Sequence, residues 1–251
     1  MYGLCMAVAM LLAVGLSYIR TKKRGEDCDK LITIALFAVV FGLLGSKLLY
    51  FFVTYSWSEL VELVRANGFK ALMEGGLVFY GGLIGGVIGA FIGAAAVKAP
   101  LSRYSDAVVP TLPLAHAIGR MGCFCSGCCY GRETDSWIGM CFPNSITGLA
   151  PDVAVIPTQL IESCANLIVF IFLMIFTIKR RKGFTTLFVY MTCYGVIRFL
   201  IEFLRGDEIR GFFGALSTSQ WISLALIICG AAGLIVTHGK KKGRPSPGAA
   251  L

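Results

Sequence analysis

The residues of this chain that could do chemistry are concentrated in a short segment that follows directly on an apolar stretch. Residues 119–131 read Gly-Arg-Met-Gly-Cys-Phe-Cys-Ser-Gly-Cys-Cys-Tyr-Gly, which includes one arginine, four glycines and four cysteines. An arginine at the end of a membrane segment is costly unless it has an anionic partner. Glycines let a backbone and a ligand approach closely. The segment is therefore the first candidate for a functional site.

A second group of charged residues lies in a later apolar segment. Arg198 and Glu202 are four residues apart and share a helix face, and Arg205 continues that face. One interpretation is an internal ion pair that locks two helices together. The other adds Arg120 at the same predicted level, so that three arginines face one glutamate. Such surplus positive charge predicts a pocket for a phosphate or carboxylate, since guanidinium groups bind these oxygens in a bidentate way.

Two further features have both a structural and a functional interpretation. The glycine-rich run 75–86 predicts either close helix packing through small residues or a broken span that lines a cavity. In the second case Tyr80 would point its hydroxyl into that cavity. His116 lies one turn before Arg120 and is either a hydrogen-bonded structural group or a base.

Five cysteines fall in or beside the polar connection that follows Arg120, and they leave several chemistries open. They are Cys123, Cys125, Cys128, Cys129 and Cys141. They could form disulfides in an oxidising compartment. Cys125 and Cys128 form a C-x-x-C pair suited to redox chemistry or zinc, but the chain has no second such pair. We therefore assign no metal and no cofactor. A thiolate beside Arg120 would have a lowered pKa and could take part in acyl or alkyl transfer.

The elements that position these residues are membrane helices. The chain has 251 residues, of which 57% are hydrophobic and 15% charged, against about 25% charged in soluble domains. A span needs about 20 apolar residues. We predict an all-α, polytopic membrane protein with about seven transmembrane helices, near residues 1–19, 31–53, 76–97, 106–122, 158–178, 184–204 and 218–238.

Three smaller predictions complete the architecture. The mixed segment 54–75 predicts a short amphipathic helix on the membrane surface. Residues 1–239 are predicted to form a single transmembrane domain. The basic tail, residues 240–251, is predicted to be disordered.

The positive charge indicates membrane orientation rather than nucleic-acid binding. The net charge is +9, but 15 of the 23 lysines and arginines fall in alternate loops and the C-terminal tail. The positive-inside rule then places the N-terminus outside and the C-terminus in the cytoplasm. No basic face with interleaved aromatic residues is seen, so we expect no nucleic-acid partner.

Taken together, these motifs resemble the bacterial prolipoprotein diacylglyceryl transferase family over nearly the whole chain. The similar elements are Tyr2-Gly3, the glycine-rich run 75–86, the signature at 119–131, Pro157-Thr-Gln-Leu-Ile-Glu162, and the late Arg/Glu motif in 194–205. In the family signature, Gly-Arg-x-Gly is followed by an asparagine and then by Gly-Glu.

The resemblance implies a transferase of the bacterial inner membrane. The family moves the diacylglyceryl group of phosphatidylglycerol, a membrane lipid, to the lipobox cysteine thiol of a prolipoprotein signal peptide, and glycerol phosphate leaves. By position, the catalytic candidates are Arg120, Arg198, Glu202, Tyr80 and Cys123. The substrate-binding candidates are Tyr2, Gly122, Cys128, Gly131 and Arg205.

This chain departs from the family pattern at three of these positions. Tyr80 replaces the usual histidine of the glycine-rich segment, Cys123 the signature asparagine, and Cys128 the signature glutamate. A tyrosine, with a reference pKa near 10, is a poorer base at neutral pH. Two alternatives follow: a divergent lipid transferase with another acceptor or a cysteine-linked covalent intermediate, and a non-catalytic thiol or metal-binding membrane protein.

Overall fold

The computed structural model describes residues 2–67, 76–181, 183–205, 212–214 and 216–239. Within these ranges the regular elements are helices and a short hairpin of two-residue strands, β1 (Phe212–Phe213) and β2 (Leu216–Ser217). Residues 126–157 form a long irregular connection with isolated β-bridges. The helices are α1 (Tyr2–Lys23), α2 (Cys28–Thr54), α3 (Trp57–Asn67), α4 (Phe79–Ala96), α5 (Leu101–Val108), α6 (Thr111–Cys125), α7 (Thr158–Phe176), α8 (Thr185–Glu202) and α9 (Thr218–Gly239). The predicted all-α, polytopic fold class is confirmed.

Six of the described helices are long and apolar enough to cross a membrane: α1, α2, α4, α7, α8 and α9. The fourth predicted span, residues 106–122, differs because it is divided between α5 and α6 around Pro110. Proline has no N–H to donate and also disfavours helical geometry in the preceding residue. The polypeptide therefore turns at this point, and α6 begins at Thr111.

Contacts divide the chain into two compact units. The described residues of the first unit fall within 1–20 and 105–251, and those of the second unit fall within 21–104. The prediction of one transmembrane domain over residues 1–239 stays a prediction. The predicted disordered tail, 240–251, lies outside the described residues, as does Gly75.

The first unit buries polar side chains and exposes apolar ones, as expected of a bundle surrounded by lipid. On α7 a buried polar stripe runs through Thr158, Gln159, Glu162, Ser163 and Asn166. The same helix exposes Ile168 and Ile175 by more than half of their surfaces. In water, such exposed apolar side chains would favour aggregation. In a membrane they face lipid, and the polar side chains face the protein interior.

A hydrogen-bonded network closes one end of the first unit. The buried carboxylate of Asp106 accepts hydrogen bonds from the Thr186 hydroxyl and, at 2.6 Å, from the backbone N–H of Arg181. Arg20 donates to the backbone oxygens of Asp106 and Ala107 at 2.7 and 3.1 Å. This network joins the C-terminal end of α1 to α5 and to the N-terminal end of α8. The other end of the same helices therefore carries Tyr2 and Glu202.

Helix α3 lies within the predicted amphipathic segment, residues 54–75, and forms most of its described part. Ser56 and Glu59 form a capping box, in which the backbone N–H of Ser56 donates to Glu59 Oε2 at 2.8 Å and the backbone N–H of Glu59 donates to Ser56 Oγ at 3.5 Å. This arrangement satisfies N–H groups that lack partners within the first helical turn. Residues 68–75 of the predicted segment lie outside the described residues.

In the second unit, α2 and α4 pack at very close range through glycines spaced by four. The buried positions of α4 include Gly81, Gly85, Gly89 and Gly93. A Cβ atom at Gly81 or Gly85 would overlap the carbonyl oxygen of Gly45 or Phe41, respectively. Since residues 79–96 form one continuous helix, close packing is the correct interpretation here, and the predicted broken span is not observed in this range.

This packing predicts different outcomes for alanine at two adjacent glycines of α4. Gly85→Ala places a methyl group against the Phe41 carbonyl and should lower the free energy of unfolding by about 1–3 kcal/mol. Gly86→Ala, the matched control, meets only the Ala38 oxygen at 3.5 Å and should gain up to about 1 kcal/mol from helix propensity. The melting temperatures of both variants are measured by thermal unfolding in detergent. Equal melting temperatures for the two would contradict the packing.

Candidate active site

The first charged pair of the site joins α6 to α7. Arg120 Nη2 lies 2.9 Å from Glu162 Oε1, and the Glu162 side chain is only 3% exposed. Glu162 is thus the anionic partner that an arginine at this depth requires. The expectation of three arginines facing a single glutamate is corrected, because Glu162 adds a second carboxylate to the group. Glu162 could have been found from the sequence, because it lies among the polar residues of an otherwise apolar helix, α7.

The second charged pair lies at the C-terminal end of α8. Arg198 Nη2 lies 2.8 Å from Glu202 Oε2, and the two side chains are 10% and 8% exposed. Ser217, in the hairpin, donates its hydroxyl to Glu202 Oε1 at 2.9 Å, and Arg198 Nη2 donates to Ser219 Oγ at 3.2 Å. The buried Nη1 of Arg198 has no hydrogen-bond partner among the described residues. One guanidinium N–H group is therefore available to a ligand oxygen.

Shared neighbours connect the arginines of the two pairs. Tyr194, one turn before Arg198 on α8, interacts electrostatically with Arg120. Cys129 interacts with both Arg120 and Arg205. Arg120 and Arg205 thus both act on Cys129, and Arg198 lies on α8 one turn after Tyr194, the neighbour of Arg120. Sequence reasoning did not single out Tyr194 as a site residue.

Three thiols converge beside these arginines. The sulfur atoms of Cys123, Cys128 and Cys129 all lie within 4.8 Å of one another, and the three residues are partly buried. This cluster, hereafter the thiol cluster, contains one member of the predicted C-x-x-C pair but not the other. Cys125, the last residue of α6, is exposed. Spacing along the chain had therefore indicated a different pair of thiols.

Electrostatics favour a thiolate at Cys129. A hydrogen bond from the Cys123 thiol lowers the pKa of the Cys129 thiol, and the guanidinium groups of Arg205 and Arg120 lower it further. Burial and the neighbouring Cys129 instead raise the pKa of the Cys128 thiol. A negative charge in the cluster is thus most stable on Cys129. The sequence had instead indicated Cys123 and Cys128 as the site cysteines.

The loop that carries the cluster is held in place by the N-terminal end of α7. Gln159 Nε2 donates to the carbonyl oxygen of Cys128 at 2.8 Å, and Thr158 Oγ1 donates to that of Cys129 at 2.9 Å. Cys129 has a φ of 63°, in the left-handed region that non-glycine residues adopt only rarely. These side-chain bonds hold the sharp turn that directs the Cys129 thiol towards the cluster.

Two glycines of the signature allow close approach at the same place. A Cβ at Gly131 would lie 2.5 Å from the Leu204 carbonyl oxygen and 2.8 Å from Thr158 Cγ2. A Cβ at Gly122 would lie 3.2 Å from Tyr2 Cδ2. The Tyr2 ring therefore packs against α6, and its hydroxyl interacts electrostatically with all three thiols of the cluster. Tyr2, Gly122 and Gly131 thus belong to one neighbourhood.

Two candidates remain, Tyr80 and His116. Tyr80 belongs to the second unit, near the start of α4, and is 44% exposed. His116 Nδ1 shares a hydrogen bond of 2.8 Å with the Tyr190 hydroxyl, and its ring packs 5.1 Å from that of Tyr194. These contacts favour the structural interpretation of His116.

A groove of about 470 Å³ lies in the long connection beyond α6. Its walls are formed by Phe124, Cys125, Gly127, Met140, Cys141, Phe142, Pro143 and Asn144. Neither Arg120 nor Arg198 lines it. The pocket for a phosphate or carboxylate that we predict at the arginines therefore stays a prediction.

Comparison with known proteins points to one family. Residues 1–236 match the family described as prolipoprotein diacylglyceryl transferase. The phosphatidylglycerol–prolipoprotein diacylglyceryl transferase 2 of Clostridium perfringens (strain 13 / Type A) is 36% identical over 98% of this chain and 93% of that protein. The transferases of Clostridium tetani (strain Massachusetts / E88) and Trichormus variabilis (strain ATCC 29413 / PCC 7937) are 37% and 32% identical. These two alignments cover 91% and 98% of this chain, and 89% and 87% of the respective relatives.

Proposed function

We propose, because the chain belongs to the prolipoprotein diacylglyceryl transferase family, that it transfers the diacylglyceryl group of phosphatidylglycerol to a prolipoprotein. It does so as a multi-pass protein of a bacterial membrane. The acceptor atom is the thiol sulfur of the lipobox cysteine in the signal peptide. The observation that carries this proposal is the pair of buried arginine–glutamate contacts, Arg120–Glu162 and Arg198–Glu202, in which Arg198 Nη1 has no hydrogen-bond partner among the described residues.

The reaction is a displacement at carbon. The acceptor sulfur attacks the glyceryl carbon that bears the phosphate, a C–S bond forms, and the C–O bond to phosphate breaks. The electron pair of that bond leaves with glycerol phosphate, and the thiol proton passes to a base. Negative charge therefore grows on the phosphate oxygens in the transition state. Positive groups held in place beforehand stabilise such charge most effectively.

The arginines of the site are suited to this task. Arg198 Nη1 is buried with no hydrogen-bond partner in the part of the chain that the structure describes, so a phosphate oxygen would supply one. Glu202 holds the Arg198 guanidinium in place, and Glu162 does the same for Arg120. Arg205 adds positive charge next to Cys129. Because the carboxylates orient the guanidinium groups, phosphate binding requires little reorganisation.

Removal of the acceptor proton is the step on which this chain departs most from its family. Tyr80 and Cys123 are the candidates at the family's positions, and Cys129 is the thiol with the lowered pKa. A thiolate stabilised by arginines is a weak base, because proton-transfer efficiency follows the pKa of the base. The Cys123 thiol keeps its proton as the donor to Cys129, so we assign proton removal to the Tyr80 position and test the two positions separately.

A resident cysteine is a poor site for a covalent intermediate. Attack by Cys123 or Cys129 on the glyceryl carbon would give a thioether on the enzyme. Its C–S bond would have to break again for transfer to proceed, with an unactivated thiolate as leaving group. Such a product is a dead end, so direct attack by the acceptor thiol is the favoured route.

The orientation of the chain follows from its loop charges. The N-terminus lies outside and the C-terminus in the cytoplasm, because the lysines and arginines of alternate loops favour the cytoplasmic side. Arg20 and Asp106, at one end of the first unit, then face the cytoplasm. The thiol cluster and the arginines face the side from which glycerol phosphate would leave.

Transfer can be tested directly with purified protein. Phosphatidylglycerol labelled in its acyl chains is incubated with a lipobox peptide and with wild-type, Tyr80→Phe or Cys123→Ala protein. We expect lipidated peptide from wild type and a clear loss of rate in the variant that lacks the base. A peptide with serine in place of the lipobox cysteine is the control.

Two results would contradict the proposal. Label recovered on the protein itself, with none on the peptide, would establish the covalent alternative. Wild-type protein that neither lipidates the peptide nor releases glycerol phosphate would exclude transfer to this acceptor.

A further inference from the structure

We propose that Cys123, Cys128 and Cys129 form a binding site for a thiophilic metal ion, with Zn²⁺ as the probe ion. This inference does not depend on the transfer reaction, because it rests on the geometry and chemistry of the thiol cluster alone. It also differs from the C-x-x-C interpretation. The cluster omits Cys125 and brings in two thiols that spacing along the chain did not pair.

The sulfur geometry is close to that of a metal site. Around a tetrahedral zinc ion with Zn–S bonds of about 2.3 Å, the sulfur atoms lie about 3.8 Å apart. The three thiols lie within 4.8 Å of one another. Small rotations about their Cα–Cβ bonds close the difference. Three protein ligands leave a fourth position for water or a ligand atom, as in open zinc sites.

The backbone around the cluster is already held in position. The N–H of Cys128 donates to the Cys123 carbonyl oxygen at 3.1 Å, which closes the turn after α6. Gly127 in this turn has a φ of 60°, and a Cβ there would lie 2.8 Å from Ser145 Cα. The bonds from Thr158 and Gln159 hold the two following carbonyl groups. Because the ligands are already ordered, binding of a metal ion would cost little further conformational entropy.

The charges around the cluster also favour a metal–thiolate centre. Metals bind the thiolate form, and the positively charged Arg205 and Arg120 act on Cys129. Three thiolates with one divalent cation carry a net charge of −1, which the nearby guanidinium groups balance. Soft thiolate ligands select Zn²⁺ and Cu⁺ over Mg²⁺ and Ca²⁺. The site should thus discriminate strongly against the hard divalent ions.

A metal ion in this position would act as a cross-link. Cys123 is in the last turn of α6, whereas Cys128 and Cys129 begin the long connection to α7. Shared ligation would join these two segments beside Gly131. The chain should then unfold at a higher temperature with the ion than without it, since a ligand that binds only the folded state stabilises that state.

The test uses the full chain, purified in detergent under reducing conditions and treated with a chelator. The background variant Cys125→Ser/Cys141→Ser removes the two exposed thiols of the connection and leaves the cluster intact. Zn²⁺ is added and its stoichiometry is measured by elemental analysis. Cd²⁺ substitution reports thiolate ligation through its sulfur-to-metal charge-transfer band. We expect one ion per chain, the charge-transfer band and a raised melting temperature in this background.

Single serine variants at Cys123, Cys128 and Cys129 identify the ligands. Each should weaken binding by more than the roughly 10–100-fold that loss of an outer partner costs at known metal sites, and each should abolish the zinc-dependent rise in melting temperature. Arg198→Ala, which removes no charge from beside Cys129, should lose transfer while keeping the ion, so failure of one proposal is distinguishable from failure of the other. Equal Zn²⁺ binding by the background and the three variants would overturn the proposal. So would absence of Zn²⁺ from the fully reduced background protein.

Discussion

Replacing Arg120 with alanine should reduce kcat/KM for diacylglyceryl transfer by at least about 10²–10³-fold, the loss seen when one preorganised charge-stabilising donor is removed. Arg120 is paired with a glutamate that is almost fully buried. It also interacts with Cys129 beside Arg205. Its guanidinium group is therefore held in place when the leaving phosphate becomes more negative, as water in the alanine variant would not be. The measurement is the steady-state rate of peptide lipidation as phosphatidylglycerol is varied.

Arg120→Lys is the informative companion variant. Lysine keeps the positive charge but not the planar fork that binds two oxygens at once. If Arg120 holds both Glu162 and the phosphate, lysine should recover only part of the lost rate. Full activity in the lysine variant would show that charge alone suffices. Full activity in the alanine variant, with the protein folded, would remove Arg120 from the catalytic machinery.

Replacing Glu202 with alanine should have the largest effect on stability. The change leaves the Arg198 guanidinium buried without its carboxylate, a loss of about 3–5 kcal/mol when one member of a buried pair is removed. Glu202 also accepts a hydrogen bond from Ser217, so the hairpin before α9 loses a contact at the same time. Thermal unfolding in detergent measures the loss of stability, and kcat and KM measure the effect on transfer.

The control for this prediction is chemically milder. Ser219→Ala removes only the hydrogen bond from Arg198 Nη2 to the serine hydroxyl. It should change stability by about 0.5–1.5 kcal/mol. Glu202→Gln retains an oxygen that can accept from Arg198 and should be intermediate in stability. If it lowers kcat while KM stays near the wild-type value, Glu202 positions Arg198 for the transition state. A Glu202→Ala protein as stable as Ser219→Ala would contradict the pairing.

Much of the architecture could be predicted from the sequence, because membrane insertion depends on local hydropathy. Six described helices match predicted spans, and of the two interpretations of the glycine-rich run, close packing of α4 is the one observed. Arg198 and Glu202 could be paired from spacing alone, because four residues bring them onto one helix face. The fourth span differed because Pro110 divides it, and local hydropathy does not report such a break.

The tertiary structure decided which residues meet within the candidate site. Arg120 and Glu162 lie on different helices, so only packing of α6 on α7 brings them to 2.9 Å. Convergence of Cys123, Cys128 and Cys129 depends on a left-handed residue at 129 and on side chains from α7 that hold the turn. Spacing pointed instead to Cys125, which the last helical turn of α6 leaves exposed. The sequence by itself thus determined the spans, the family and the arginines, because these depend on local composition and motif. Only the tertiary structure could assign partners to those arginines and group the thiols, because both depend on contacts between segments distant in the chain.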